Sequence, residues 1–229
     1  MKQCPQCKAK TVDDEALYCT ECGAALDGKP SASPPVKAAV KPPPSKSPAL
    51  SVSRGHKVDL TKAHPNLERI RLDLGWRSAA DFDIDAAAFL LGANGKVMSD
   101  ADFVFYNNPK HVSSSVEHVR RQAGDERISI DLKRVPDNVK KIAVSLTINE
   151  AEQRKQTFEK VHDMVLSVVD DASGNELVRY ALEDSFTVET AIVVGEVYQH
   201  KGQWKFHAIG AGFKGGLAAL CNNFGIAVD

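Results

Sequence analysis

The stretch Ile70-Arg71-Leu72-Asp73-Leu74 alternates strictly between apolar and charged side chains. Successive side chains of a β-strand point to opposite faces, so this period of two predicts a strand with one buried face. Apolar segments of similar length recur at intervals of roughly ten residues, with turn-forming residues between them. They are Phe82–Leu91, Phe103–Tyr106, Ile128–Leu132, Ile142–Ile148, Met164–Val169, Leu177–Leu182, Ala191–Tyr198 and Trp204–Ile209. The pattern predicts a mainly β fold, a β-sandwich.

Turns and a few short helices connect these strands in the predicted fold. Asn94-Gly95 and Lys201-Gly202 are dipeptides that favour hairpins. Helices are predicted over Ser115–Gln122, where preceding serines could cap the first turn, over Ala151–Phe158 and over Leu217–Phe224. The glycines of residues 210–216 precede the last helix, but the Walker A order of lysine followed by Ser/Thr is missing, so close backbone packing is favoured over phosphate binding.

The composition divides the chain into three segments. We predict a zinc ribbon over residues 1–27, a disordered linker over 28–57 and the sandwich domain over 58–229. The linker holds seven of the 11 prolines and six Lys or Arg, with no acidic residue. Such a segment cannot bury enough apolar area to offset its ordering entropy. Residues 1–57 carry a charge of +4 and residues 58–229 a charge of −5, which indicates two units with different roles.

Four cysteines form the pattern Cys4-x-x-Cys7 and Cys19-x-x-Cys22. Two such pairs brought face to face give the four-sulfur tetrahedral geometry of a structural zinc site. Two disulfides or a redox pair are the alternatives, and the cytoplasm disfavours lasting disulfides. The spacing resembles the zinc-ribbon family. Cys221 has apolar neighbours and is expected to be a buried thiol.

The totals for the 229 residues exclude several classes of protein. The 43% hydrophobic and 26% charged fractions are those of an ordinary globular chain. No apolar run reaches the roughly 18 residues that a membrane span needs. The N-terminus has no apolar core of a secretory signal, so a cytoplasmic location is expected.

Acidic and amide side chains cluster in the first half of the sandwich. On a strand, Asp81, Asp83 and Asp85 would share one face, and their repulsion must be offset by solvent, by Lys or Arg, or by a divalent cation. Ca²⁺ takes six to eight oxygen ligands of these types. No EF-hand pattern is present, and a solvated acidic face is the alternative. The calcium candidates are Asp81, Asp83, Asp85, Asp100, Asp102, Asn107, Asn108, Asp125 and Glu126.

Four segments resemble the TerD family of tellurium-resistance and stress-response proteins. They are Leu74-Gly75-Trp76, Ala80–Ala86, Ser99–Asn108 and Gly212–Leu217, and the likeness runs from about Val58 to Val228. The resemblance implies a β-sandwich that binds Ca²⁺ through clustered acidic residues. It also implies a role in resistance to tellurite and other chemical stress, in multiprotein assemblies near the membrane, without catalytic activity.

One segment departs from the family pattern. Members typically carry a Gly/Asp-rich loop that ends in Asp-Asp-Glu, whereas residues 116–127 have lost most of those acids and hold Arg120 and Arg121. One family calcium site is therefore expected to be weakened or absent. Either arginine could neutralise the acidic face by ion pairing.

These observations predict a non-enzymatic, calcium-binding stress-response adaptor whose zinc ribbon docks a partner protein. The alternative is a nucleic-acid-associated factor that uses the ribbon and the basic linker as a binding arm. An enzyme that uses the acidic cluster with a metal is a third hypothesis, for which no nucleophile and base constellation is visible.

Overall fold

A computed structural model describes residues 48–122, 124–183 and 186–227. The chain divides into two units, residues 1–45 and 46–229, and the described residues belong to the second. The predicted zinc ribbon, with Cys4, Cys7, Cys19 and Cys22, lies outside the described residues, as does the predicted linker up to residue 47.

Two sheets make up the described structure, and the first has the strand order β1-β10-β9-β3-β7-β6. Its strands are β1 (Leu50–Val52), β3 (Arg69–Arg77), β6 (Val116–Gln122), β7 (Asp125–Asp131), β9 (His162–Asp170) and β10 (Glu176–Ala181). Neighbours are antiparallel except β1, which runs parallel to β10. Leu72 lies opposite Ile128 on one side and Val168 on the other, so the apolar members of three strands form one row.

The second sheet has the order β2-β12-β11-β8-β4-β5. Its strands are β2 (Lys57–Asp59), β4 (Ile84–Leu91), β5 (Phe103–Val104), β8 (Lys141–Ile148), β11 (Ala191–His200) and β12 (Gln203–Phe213), all antiparallel. Lys201 and Gly202 both adopt left-handed φ, of 50° and 74°, and close the β11–β12 hairpin. The hairpin prediction is confirmed, because a two-residue turn of this type matches the twist of its strands.

The sandwich core lies between the two sheets. Every second residue of β3 is buried there, from Ile70 to Trp76, with Ile128, Leu166 and Tyr180 from neighbouring strands. The residues between them are exposed or half-buried and, apart from Gly75, charged, which is the alternation that the sequence predicted for Ile70–Leu74. The predictions of a mainly β fold with few short helices are therefore confirmed in the described residues.

A second apolar cluster covers the outer face of the second sheet. Helix α2 (Gly216–Phe224) lays Leu220, Cys221 and Phe224 on that face, where they meet Ala87, Phe89 and Leu91 of β4. β4 therefore has apolar residues on both faces and lacks the strict alternation of β3. The buried Cys221 agrees with expectation, and desolvation by burial raises the pKa of its thiol.

Gly195 lies at an irregularity of β11 and leaves room for a ring of the core between the sheets. The register of β11 shifts between Val193 and Gly195 against both neighbouring strands. A Cβ at Gly195 would lie 2.8 Å from the ring of Phe206, closer than carbon atoms approach, so a side chain there would displace a core ring.

Three local predictions are wrong. Residues 116–122 form edge strand β6 rather than a helix, because Val116 and His118 face the core while Glu117 and Val119 face outward, a period of two.

The other two errors concern lengths. The helix predicted over Ala151–Phe158 is the single turn α1 (Ala151–Arg154), because Lys155 takes left-handed φ and ends it, and a 3₁₀ turn follows at Phe158–Lys160. Asn94-Gly95 makes a turn, but residues 92–102 separate β4 from a β5 of only two residues.

The ordered domain begins earlier than residue 58. β1 and the first residue of β2 fall inside the range 28–57, which the sequence assigned to a linker on its proline and lysine content. Leu50 and Val52 pair with Val178 and Tyr180 of β10, so these residues belong to the first sheet. No helix among the described residues is long and apolar enough to cross a membrane.

Candidate functional site

Three of the predicted calcium ligands converge on one guanidinium. Arg120 Nη2 lies 3.3 Å from Asp83 Oδ1 and 3.5 Å from Asp85 Oδ1, and Arg120 Nε lies 3.8 Å from Glu126 Oε1. Asp83 immediately precedes β4 and Asp85 lies on it, while Arg120 and Glu126 face each other in the β6–β7 pairing. We call Asp83, Asp85, Glu126 and Arg120 the carboxylate cluster. The arginine ion pairing expected from the sequence is present.

Glu126 connects the two sheets within this cluster. Its Oε2 accepts a hydrogen bond from the backbone N–H of Ala86, at 2.6 Å, and lies 2.9 Å from His118 Nε2. The Glu126 and His118 side chains are 3% and 2% exposed. Strand β5 pairs with β4 only at Ala88 and Phe89, so it does not reach as far along β4 as Ala86. The backbone N–H of Ala86 therefore needs an acceptor that is not a strand carbonyl. The buried carboxylate supplies it.

The cluster carries more negative than positive charge, because three carboxylates face one guanidinium. Desolvation by burial raises the pKa of Asp85, and the charges of Glu126 and Asp83 raise it further, against the attraction of Arg120. Asp85 Oδ1 is buried and makes no hydrogen bond. Its contact with Arg120, at 3.5 Å, is an ion pair without hydrogen-bond geometry. Its carboxylate is therefore the least compensated of the three.

Asp102 and Asn108 lie in a second arrangement, which braces loops. Asp102 Oδ2 accepts hydrogen bonds from the backbone N–H groups of Met98 and Ser99, at 2.9 Å each, and Oδ1 lies 3.0 Å from His111 Nε2. Asn108 Nδ2 donates to the Phe103 carbonyl at 2.6 Å. The Asp102 contacts occupy both oxygen atoms of a carboxylate that calcium would need, and the Asn108 amide nitrogen fixes the orientation of that side chain.

The line of hydrogen bonds continues from His111 to a serine. His111 Nδ1 lies 2.7 Å from Ser113 Oγ, and Ser113 Oγ lies 2.8 Å from Ser115 Oγ. The order Asp102, His111, Ser113 is that of a nucleophile relay. However, Ser113 Oγ also accepts from the Ser115 N–H, and the Ser113 N–H donates to His111 Nδ1, which is the pattern of a closed local turn.

The remaining four candidates have individual surroundings. Asp81 is exposed and its Oδ2 accepts from Gln156 Nε2 at 3.0 Å, so it leaves the face that it was predicted to share with Asp83 and Asp85. It precedes the first residue of β4 by three positions, where the period of two does not hold. Asp125 pairs with Arg121 at 3.2 Å, and Asp100 and Asn107 are exposed.

Metal geometry is not preformed among these side chains. Within the described residues, no group of three or more His, Cys, Asp or Glu side chains is arranged to hold a metal ion. The carboxylate cluster has oxygen ligands of the type that calcium prefers, but Arg120 now lies between them.

His118 contacts the carboxylate cluster, although the sequence did not indicate it as a site residue. Its side chain is buried, and its hydrogen-bond partner is the central carboxylate, Glu126. An alternation of Val116 and His118 on one face could have shown that the histidine is buried, had residues 116–122 been predicted as a strand.

Comparison with known proteins gives the family. The model of the TerD domain matches residues 49–224. The chain belongs to the TerD domain family. General stress protein 16U of Bacillus subtilis is 40% identical over 190 residues, 78% of this chain and 98% of that protein. Tellurium resistance protein TerD of Alcaligenes sp is 42% identical over 188 residues, with the same coverage.

A third relative agrees with this membership of the TerD family, and a solved structure agrees with the fold. An uncharacterised protein, YceE of Bacillus subtilis, is 44% identical over 191 residues, 79% of this chain and all of that protein. The crystal structure of a homologue of telluride resistance protein from Streptomyces coelicolor A3(2) superimposes with a TM-score of 0.54. It covers 67% of this chain and 94% of that chain at 19% identity, so it supports the fold alone.

Proposed function

We propose that this TerD-family chain is a non-catalytic, calcium-binding stress-response protein of the tellurium-resistance type. In this proposal it acts in the cytoplasm as an adaptor within an assembly of proteins. The zinc ribbon proposed for residues 1–27 docks a partner, and the proline-rich tether raises the effective concentration of that second contact. The relatives named for tellurium resistance and general stress support the stress role.

The excess negative charge of the carboxylate cluster is the observation that carries the calcium proposal. Asp83, Asp85 and Glu126 come from two sheets and meet within ion-pair distance of one Arg120. A divalent cation would compensate Asp85 better than the single guanidinium does. Asn149 Nδ2 donates a hydrogen bond to Asp83 Oδ2 at 3.3 Å, so a side-chain amide, which also carries an oxygen, lies at the same edge.

Arg120 is the competitor that calcium must displace. Its side chain is 59% exposed, and exposed ion pairs contribute only about 0 to 1 kcal/mol. The guanidinium can therefore move into solvent at small cost, after which the carboxylates can approach a shared ion. This competition predicts a calcium affinity lower than that of a site without the arginine.

Calorimetric titration of Ca²⁺ into the full, zinc-loaded chain tests the proposal. The parent is compared with Arg120→Gln and with the matched control Arg121→Gln, whose arginine pairs with Asp125 outside the cluster. We expect saturable binding that Arg120→Gln tightens by about threefold to fivefold, the equivalent of up to about 1 kcal/mol. Arg121→Gln should leave the affinity within about twofold, and Asp83→Asn should weaken it at least about tenfold.

The proposal fails if neither the parent nor Arg120→Gln takes up calcium while both remain folded. The carboxylate cluster would then be a closed ion-pair network that joins the sheets, and the stress function would have to rest on another surface.

A further inference from the structure

A cavity of about 420 Å³ lies beside the carboxylate cluster, on the outer side of the second sheet. Its walls come from the start of β4, the residues that follow β5, the β8–α1 junction and the first turn of α2. This volume is in the range of sites that enclose a small organic molecule.

One wall of the cavity is aromatic. Phe103 and Phe105 stack with ring centroids 4.3 Å apart, and Phe103 continues the stack onto the buried Phe89 at 4.6 Å. Tyr106 meets Phe105 edge to face at 5.2 Å and is 50% exposed. The buried rings Phe89 and Phe103 are fixed by the core, so the wall is rigid, and its outer rings, Phe105 and Tyr106, reach solvent.

The charged part of the lining is entirely acidic. Asp85, Glu150 and Glu152 line the cavity, and no Lys, Arg or His does so among the described residues. Arg154 compensates Glu150 at 2.7 Å from outside the cavity. Asp85 and Glu152 remain as the carboxylates available to a ligand, because Asp85 meets Arg120 at 3.5 Å without a hydrogen bond. The desolvated Asp85 is the stronger attractor of the two because it is the more deeply buried.

We propose that this cavity binds a freely diffusing small organic cation, an amine or amidine with a flat apolar body. The positive group lies toward Asp85 and Glu152, and the apolar body packs against Phe105, Tyr106 and Leu217. Aromatic faces attract cations, and carboxylates hold an amidinium through paired hydrogen bonds, so both walls select the same ligand chemistry. A volume that admits a complete small molecule favours a free ligand over one side chain of a partner.

The inference is independent of the calcium proposal, although both involve Asp85. Asp83 belongs to the carboxylate cluster but does not line the cavity, whereas Tyr106 and Glu152 line the cavity but contact no member of the cluster in an ion pair. Variants at these positions therefore separate the two sites.

Titration of the full chain with benzamidinium, followed by ¹⁵N chemical shifts, tests the inference. Neutral benzamide, which has the same shape, is the ligand control. We expect saturable shifts at residues that line the cavity, and benzamide should bind at least about tenfold more weakly because it lacks the charge.

Three variants and one control locate the effect. Tyr106→Ala and Glu152→Gln should each weaken benzamidinium binding about threefold or more, and Asp85→Asn about tenfold. Glu159→Gln replaces an exposed glutamate outside the cavity and should have no effect. If Asp85→Asn does not fold, the exposed Tyr106 and Glu152 still decide the question.

Three results would overturn the inference. Equal binding of benzamide would leave only an apolar cavity. If Glu159→Gln weakened benzamidinium binding as much as Glu152→Gln does, the general negative charge of the domain would explain the binding. A pentapeptide with a central arginine is the third probe. If it bound at least tenfold more tightly than benzamidinium, the ligand would be a basic side chain of a partner protein rather than a free small molecule.

Discussion

At the scale of single residues, Arg120 and Asp85 determine the electrostatics of the candidate site. Arg120 approaches three carboxylates but makes a hydrogen bond with acceptable geometry only to Asp83, at 3.3 Å. Asp85 is 14% exposed and lacks a hydrogen bond at Oδ1. An ionised carboxylate in such a place destabilises the fold unless a cation is added, because burial removes its hydration and the guanidinium is shared.

Replacing Asp85 by asparagine should therefore stabilise the calcium-free protein at neutral pH. The folded-state pKa of Asp85 is raised above its ordinary value of 3.8, by burial first and then by Glu126 and Asp83. The stabilising effect of its protonated form is complete below the pKa of the unfolded chain and is lost as pH rises through the folded pKa. We expect Asp85→Asn to raise the melting temperature by a few degrees at pH 7, in chelator, with the gain disappearing toward low pH.

Thermal unfolding of the parent and Asp85→Asn between pH 7 and pH 4 measures this effect. Asp137→Asn, at an exposed loop position, is the control and should give no gain at any pH. A loss of stability in Asp85→Asn at pH 7 would mean that the attraction of Arg120 exceeds the cost of burial.

At the scale of secondary structure, edge strand β6 holds the junction between the sheets. It presents His118 to Glu126, and Glu126 in turn accepts the free N–H of Ala86 on β4. A charge-assisted hydrogen bond of this kind contributes about 1.5 to 3 kcal/mol. The junction is therefore polar although the core on either side of it is apolar.

Glu126→Ala should open this junction locally. Loss of the acceptor should speed hydrogen exchange of the Ala86 amide by at least about tenfold, the equivalent of 1.5 kcal/mol or more. Glu117→Ala removes a glutamate from the exposed side of the neighbouring strand β6 and should leave that amide unchanged. Equal protection of Ala86 in both variants would show that the carboxylate does not secure β4.

Helix α2 contributes to stability through one buried ring. Phe224 packs on Phe89 with ring centroids 4.6 Å apart and is buried in the outer cluster. Phe224→Ala should lower the free energy of unfolding by about 3 to 5 kcal/mol, as for other buried phenylalanines. Asn223→Ala, at the exposed neighbouring position, should change it by less than about 0.5 kcal/mol, as urea denaturation of both variants can measure.

The sequence predicted those elements whose side chains alternate in polarity. β3 and β9 follow their apolar period, and the Lys201-Gly202 hairpin follows from backbone chemistry. β6 was mistaken for a helix because its buried positions include a histidine, whose partner Glu126 is brought near only by the β6–β7 register. A local hydrophobic pattern does not predict a contact between two polar residues that only strand pairing brings together.

The candidate site was predicted in part for the same reason. Asp83, Asp85 and Glu126 were all among the calcium candidates, and Arg120 was considered as their counter-charge. Their separation from Asp102 and Asn108 was not foreseen, because it depends on where residues 92–102 place the 3₁₀ turn and β5. The aromatic cavity was missed entirely, since its walls come from segments that are far apart in the sequence.

At the scale of the whole domain, the outer faces of the two sheets differ. The first sheet presents cross-strand ion pairs to solvent, such as Arg127 with Asp73 at 2.5 Å and Arg69 with Asp131 at 3.1 Å. The second sheet buries Phe89 and Leu91 beneath α2. The cavity lies on the second sheet and the carboxylate cluster at the junction of the two sheets, so the charged outer face of the first sheet is left as the solubilising side.

The domain boundary gives a prediction for the whole molecule. A fragment of residues 58–229 lacks β1, which pairs with β10 and places Val52 against the core. Compared with residues 48–229, it should melt a few degrees lower and aggregate more readily, because β10 becomes an unprotected edge. Equal melting temperatures of the two fragments in calorimetry would show that β1 adds no stability and that the domain begins at residue 58.

The position of β1 and β2 at the start of the domain also has a mechanical consequence. Each has three residues, one joins the first sheet and the other the second, and both precede every longer strand along the chain. Tension applied through the residues before Pro48 would load these two short strands first. Under a stretching force the domain would therefore yield in steps, releasing about a dozen residues of slack while the ten strands from β3 onward keep their pairing.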